Sequence, residues 1–539
     1  MNKKLFFSVL FLAQIMSISA QEQCSSCSCK ASNKSFFSRR EIYTINSPEY
    51  LAHSRGWFKE HCGNGLQVTV LGGKSTNNEN LANYFSPFCS SILNVSEAAF
   101  TNTDILASQL NIYTASGDFQ STVQLKPHHS YVGIGLNYQK AFYETDGGHA
   151  VWWSISGPIL RVRNRIELIE TITTSGGGPA ATPAAVASTP GAGCPAFCPN
   201  SCNSDCSLDP SQALAPVDSV AAAFRQPSWC FGRIDSSEGS ASDSTKTRIG
   251  DITLRLGYET VKKEDYYLDS FVGCIIPTGN TPKAINIFEP VVGQNHHWGI
   301  VLGNNAGIEL WKSCTCDSII YGKADFSITY LFSRNERRSF DLKYKPWSRY
   351  MQFYRNVAQA QAAALSVDPA YQLFLHTPGI DILTQDLRIK PGFYRTLNVA
   401  VVIEQPCIEV ELGYNFFARQ AECVNLACPF PAGTALKAID FGAGQTGRFQ
   451  TINNNFGANC LATPVASFSE NIITTADLDL ESAAHPAMLA HTVYASAAHR
   501  FYIHDNYPLF VALGGSYEFS PDNTGMNRWM AWGKFTFAF

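Results

Sequence analysis

The chain has 539 residues, of which 16% are charged and 12% aromatic, and a formal net charge of −4. So small an imbalance leaves no footprint for nucleic acid or another polyanion. The mean hydropathy of −0.08 arises from apolar and polar residues interleaved too finely for a membrane helix, the pattern that alternating barrel strands produce.

Residues 1–20 read as a secretory signal peptide. Lys3 and Lys4 form the positive start, Leu5 to Ile15 the apolar run, and Ile18-Ser19-Ala20 a cleavage site before Gln21. The run is too short to span a bilayer about 30 Å thick. An exported chain with 17 cysteines points to an oxidising compartment and to disulfides. Because the count is odd, at least one thiol is unpaired within the chain or bonded to another molecule.

Residues 21–64 are polar and irregular, read as a periplasmic or lumenal extension, with Cys24, Cys27 and Cys29 clustered near the start. From residue 65 onward two-residue alternation dominates. Leu66, Val68 and Val70 share one face of the first strand, Gln67 and Thr69 the other. Ser130 to Phe142 repeats the pattern, and a turn at Asp146-Gly147-Gly148 leads to a partner strand through Trp152 and Trp153. Gly157-Pro158 predicts a kink or bulge. Beyond it Arg161, Arg163 and Arg165 alternate with Leu160 and Val162, and are expected to project into a lumen as a positive ladder.

Residues 173–247 form a long Ala/Pro/Gly/Cys-rich loop, expected to be mobile and to lie at the extracellular mouth. Strands resume where Ile252, Leu254, Leu256 and Tyr258 alternate with Asp251, Arg255 and Glu259. Further strands are expected at 266–276, 298–311, 319–332, 393–403, 408–416, 493–503 and 509–519. In one of them Glu409 and Glu411 oppose Ile408, Val410 and Leu412. A helical insert is expected at 346–366, from Trp347 to about Leu365. The last strand, Met526 to Phe539, places Phe535, Phe537 and Phe539 on one face and resembles the terminal strand of bacterial outer-membrane barrels, which implies that these residues serve as an assembly signal.

These elements specify an all-β fold: a transmembrane antiparallel barrel of about 12–16 strands over residues 65–539, with long extracellular insertions. The apolar faces carry aromatics near the strand ends, as lipid-facing girdles do. The opposite faces take charge freely. Arg161, Arg163, Arg165, Asp251, Arg255, Glu259, Glu409 and Glu411 are therefore expected to line the pore and bias its ion preference. The spacing of Cys194, Cys198, Cys202 and Cys206, and the pair Cys314 and Cys316, also match metal ligands. With no His pair nearby and an exported setting, disulfides are the stronger reading. No cofactor or metal is expected, and no GxSxG, P-loop or HExxH motif calls for catalysis.

The signal peptide, the alternating strands, the aromatic Phe539 and the many cysteines resemble outer-membrane porins, most closely the cysteine-rich major outer membrane proteins of chlamydia-type bacteria. That resemblance implies a bacterial outer-membrane porin passing small hydrophilic solutes, inserted by the barrel-assembly machinery. It also implies homo-oligomers or disulfide links to other envelope proteins. Two alternatives stand beside it: a fatty-acid-type channel for hydrophobic substrates, plugged by residues 21–64, and a surface structural protein or adhesin.

Overall fold

In a computed structural model, the chain is described for residues 31–54, 64–76, 78–96, 104–112, 118–144, 149–174, 217–226, 229–234, 245–263, 265–314, 318–355, 377–436, 472–503 and 507–539. The expected signal peptide, the cluster Cys24, Cys27 and Cys29, the run Cys194 to Cys206, and Cys316 lie outside these residues.

Twelve antiparallel strands close into a barrel: β1 (Gly65–Ser75), β2 (Gln120–Glu144), β3 (Ala150–Thr174), β4 (Ile252–Lys262), β5 (Tyr266–Ile276), β6 (Gly299–Lys312), β7 (Ile319–Leu331), β8 (Gly392–Glu404), β9 (Ile408–Arg419), β10 (Met488–Ile503), β11 (Tyr507–Phe519) and β12 (Arg528–Ala538). Each pairs with its neighbours in sequence. The seam joins β1 to β12 in register from Gly65 opposite Ala538 to Ser75 opposite Arg528. Closure leaves no unpaired edge in the ring. Among the described residues no helix is long and apolar enough to cross a membrane.

The faces sort as the alternation requires. Outward stand Val70, Val132, Leu256, Leu302, Leu412 and Leu513, the last 72% exposed. Inward and buried stand Gln67, Asn137, Arg255, Lys323, Asn398, Glu411 and Lys534. Apolar side chains left exposed in a continuous outer band, around a polar interior, define a barrel of the outer-membrane type. In β12, Trp529, Phe535, Phe537 and Phe539 point outward while Trp532, Lys534 and Thr536 point in.

The two ends differ. Connections 145–149, 263–265, 313–318, 405–407 and 504–506 are short and join strands at the end where β1 starts and β12 finishes. Connections 76–119, 175–251, 277–298, 332–391 and 420–487 are long and gather at the other end. Their described parts fold into a cap over the mouth, with an apolar core that includes Phe85, Phe224, Trp229, Phe340, Trp347 and Tyr350. The long hairpin β2–β3 rises into this cap, where Val123, Leu125, Ile166 and Leu168 turn their inner faces to the same core.

Two expectations change here. Residues Trp347–Arg355 form no helix: a single 3-10 turn, Ser348–Tyr350, runs into a short strand, Gln352–Tyr354, because Trp347, Tyr350 and Phe353 are drawn into the cap core. The rest of that expected helix lies outside the described residues. Within the long loop, Val220–Ala223 is a helical turn capped by Ser219, and Phe224 and Trp229 are buried. The described part of this insert is therefore folded. Thr245–Ile249 adds a short strand beside β3, pairing with Ile159–Arg163.

Candidate functional site in the barrel lumen

The lumen is occupied by the chain's own residues 31–54. This strap begins in the cap, where the Ala31 N–H donates to Asn523 Oδ1 at 2.9 Å and Phe37 packs edge-on to Tyr84. It then descends through the barrel to His53, near the turn end, twelve residues before β1 begins. Its one regular element is a short helix, Pro48–Leu51. Of the residues 21–64 expected to be periplasmic or lumenal, 31–54 are in the lumen and the cap.

Ion pairs, hydrogen bonds and apolar contacts hold the strap in place. Near the mouth, the Arg40 guanidinium pairs with Glu518 at 3.1 Å and donates to Thr492 and Asn415. Midway, Tyr50 accepts from Arg255, whose guanidinium also lies over the Trp152 and Phe271 rings. Ile42, Tyr43, Ile45 and Leu51 pack with Tyr131, Trp152 and Trp532 of the wall. The Tyr43 ring occupies a place that only a glycine wall position leaves open, since a Cβ on Gly135 would overlap it.

Lower down, two lysines donate to strap carbonyls that a short helix leaves unsatisfied. Lys323 Nζ reaches Leu51 O at 2.5 Å, and Lys534 Nζ reaches Tyr50 O at 3.1 Å and Ala52 O. His53 closes the series, with Nδ1 2.7 Å from Glu409 and Nε2 2.9 Å from Ser496. His53, Glu409 and Glu411 are near enough to share a cation. Lys323 sits 3.5 Å from Glu411 and Tyr494 donates to the same carboxylate at 2.8 Å. The group reads as a hydrogen-bonded latch between strap and wall, its two carboxylates already matched by protein groups.

Beside the upper strap, under the cap, lies a cavity of about 60 Å³. Strap residues 37–46 form one side, and Asp251, Asn164, Gln294, Thr396 and Phe417 contribute to the other. Arg39 donates through Nη2 to Val291 O at 2.6 Å. Its Nε and Nη1 are buried without a hydrogen-bond partner among the described residues, as is Gln294 Oε1. Buried donors left unmatched cost free energy unless a solute or water meets them. Glu41 accepts from Gln294 Nε2, and Asp251 accepts from the Gln294 and Gly279 N–H groups. The cavity thus presents donors and acceptors to a polar guest.

Between cavity and cap, Arg338 bridges Glu422 at 2.5 Å and Glu336 at 3.0 Å, while His297 Nε2 lies 2.5 Å from Glu336. Burial alone would push both carboxyls up, but the Arg338 charge and its hydrogen bonds outweigh it and hold them below the ordinary carboxylate value.

No protein-family model matches the chain, and no curated protein matches it either. Among solved structures it is similar to an outer membrane channel from Pseudomonas putida F1, at 9% identity and a TM-score of 0.34 over 89% of this chain and 97% of that one. The transport unit of the autotransporter AIDA-I from Escherichia coli gives 5% and 0.30 over 89% and 92%. A FadL homologue from Pseudomonas aeruginosa gives 8% and 0.26 over 88% and 89%. The barrel described above rests on its own strand pairing.

Of the residues expected to line a pore, Arg255, Glu259, Glu409 and Glu411 are buried on the inner wall, and Asp251 sits at its upper rim. Arg161, Arg163 and Arg165 are not in the lumen: Arg161 and Arg163 are exposed on the outer face and Arg165 shares it. The pairing of β2 with β3 runs through Gly157 and Pro158 without a register shift. Even-numbered positions of β3 therefore keep facing in, and the arginines face out. Pro158 falls between the segments paired to β4 and to Thr245–Ile249, where its missing N–H costs nothing. Among the cysteines expected to pair, Cys314 carries a free, exposed thiol. Cys89, Cys230 and Cys428, none of them singled out by spacing, are disulfide-bonded in the loops of the cap end. The strap's anchors Arg40 and His53 were also missed. Their signal was charge on a segment with no strand pattern.

Proposed function

We propose that the protein is an outer-membrane channel for small hydrophilic solutes, gated by residues 31–54, with the cap on the external side. The observation that carries this reading is the lumen itself: a polar, charged wall holding a strap by charged and polar contacts as well as apolar packing, next to a cavity with unmatched donors. The outer apolar band supports lipid as the surroundings. Short turns at one end and long connections at the other support a periplasmic and an external side.

The plug belongs to the hydrophobic-channel alternative, but the cavity chemistry does not. Arg39, Glu41, Asp251 and Gln294 suit a hydrated polar solute and would desolvate at a cost around an acyl chain. Planar-bilayer recording is the test. The intact chain should show low conductance with brief openings, and a chain lacking residues 31–54 should conduct steadily. A large steady current from the intact chain, unchanged by the deletion, would overturn gating by the strap.

A second reading, a disulfide-linked envelope component, is favoured by the exposed free thiols of Cys314 and Cys407 in the short turns. Non-reducing gels of whole envelopes separate the two. Migration as a monomer with and without reductant excludes the linked coat.

A further inference from the structure

The displaced arginines raise their own question, because an outward charge beside a lipid band is not neutral in effect. On β3 the outer face runs Ile155, Ile159, then Arg161, Arg163 and Arg165. On β2, read toward the cap, it runs Leu136, Ile134, Val132, then Ser130, His128 and Lys126. On β1 it runs Val70, Gly72, then Lys74. Three adjacent strands thus change from apolar to basic at the cap-side border of the band. The pairing sets Ser130 between Lys74 and Arg163, which places those two bases two strands, about 10 Å, apart, and sets Arg165 beside His128 on the next strand. The acid on that face of β3, Glu167, is 3.3 Å from His128.

We propose that Lys74, Lys126, Arg161, Arg163 and Arg165 form a docking surface for the phosphate groups of an anionic lipid of the external leaflet. Its acyl chains lie on the apolar face of β1–β3 below. Arg161 and Arg163 are exposed, and guanidinium groups match phosphate geometry. A purely solvated surface would not need bases collected directly above a hydrocarbon face. The surface is independent of the lumen, so it stands or falls apart from the channel reading.

The test uses the full chain folded in a neutral detergent, with diphosphoryl lipid A, dephosphorylated lipid A and inorganic phosphate as probes. Binding is read by native mass spectrometry and by the shift in heat-modifiable migration. The diphosphoryl lipid should bind and raise the migration temperature, and added salt should weaken it. The variant R161Q/R163Q should bind about thirtyfold more weakly, since each base near an anionic surface contributes about 1 kcal/mol. R161K/R163K should retain most of the affinity, which also controls for folding. Equal binding of the dephosphorylated lipid, or of the double Gln variant, would overturn the proposal. Equal competition by inorganic phosphate would show an ion site in place of a lipid site.

Discussion

The strap and the cap both fill the axis of the barrel, but different forces dominate in them. In the cap, Phe85, Phe224, Trp229, Trp347 and Tyr350 form one continuous apolar core, with rings 5–6 Å apart in edge and stacked geometries. In the lumen, the strap is pinned at intervals by Arg40 to Glu518, Lys323 to Leu51 O, Lys534 to Tyr50 O and His53 to Glu409. An apolar core fails as a unit, whereas separate polar contacts can be broken one at a time. The proposed gating by residues 31–54 rests on that difference.

The sharpest test of that contrast is Trp347→Ala. Trp347 is buried and donates through Nε1 to Phe85 O at 2.8 Å. Its loss should destabilise the cap by about 3–5 kcal/mol. Limited proteolysis should then cut the cap loops while heat-modifiable migration of the barrel persists. Loss of the barrel as well would show that cap and wall form one cooperative unit.

Lys534→Met addresses the other half. It removes the hydrogen bonds to Tyr50 O and Ala52 O and should loosen the strap by about 1–3 kcal/mol. The result should be more frequent openings in single-channel records with no change in barrel stability. Gly135→Ala should act in the same direction without touching a charge, because its methyl group takes the space of the Tyr43 ring. If Gly135→Ala opens the channel and Lys534→Met does not, ring packing holds the strap and the pins are secondary.

The smallest effect concerns pH in the cap. Burial pushes the Asp381 carboxyl from 3.8 up to about 7, although it accepts the Cys230 N–H at 2.9 Å. A raised carboxyl keeps its proton in the fold after the unfolded chain has lost it. Its contribution is thus complete below about pH 4 and declines as pH rises toward 7. Amide exchange in the cap should quicken between pH 5 and 8, and Asp381→Asn should flatten that dependence. An unchanged slope in the variant would assign it to other groups.

The barrel was legible because its pattern is local. The alternation in Ile408 to Phe416 reappears in β9, and 509–519 all but coincides with Tyr507–Phe519. Glu409 and Glu411 fell on the wet face as their parity required. Parity alone does not say which face is wet once a strand leaves the membrane, and that reversed the reading of Arg161, Arg163 and Arg165. Above the border, β3 turns Ile166 and Leu168 to the cap core and its charges outward. The cap itself left no periodic trace, since Phe85, Trp229, and the pair Phe340 and Trp347 come from three connections and meet only in three dimensions. The strap was placed near the lumen, but its contacts with Asn415, Glu518 and Lys534 span most of the chain length, beyond the reach of any short-range pattern.

The path of residues 31–54 also constrains how the molecule is made. Ala31 is fixed at one mouth and Gly65 opens β1 at the other, so a length of polypeptide passes through a ring of twelve hydrogen-bonded strands. Such a ring cannot be completed first and filled later without drawing a free end down its bore. The simpler order lays the segment against the open sheet and then zips β1 to β12 over it, making that seam the last event of maturation.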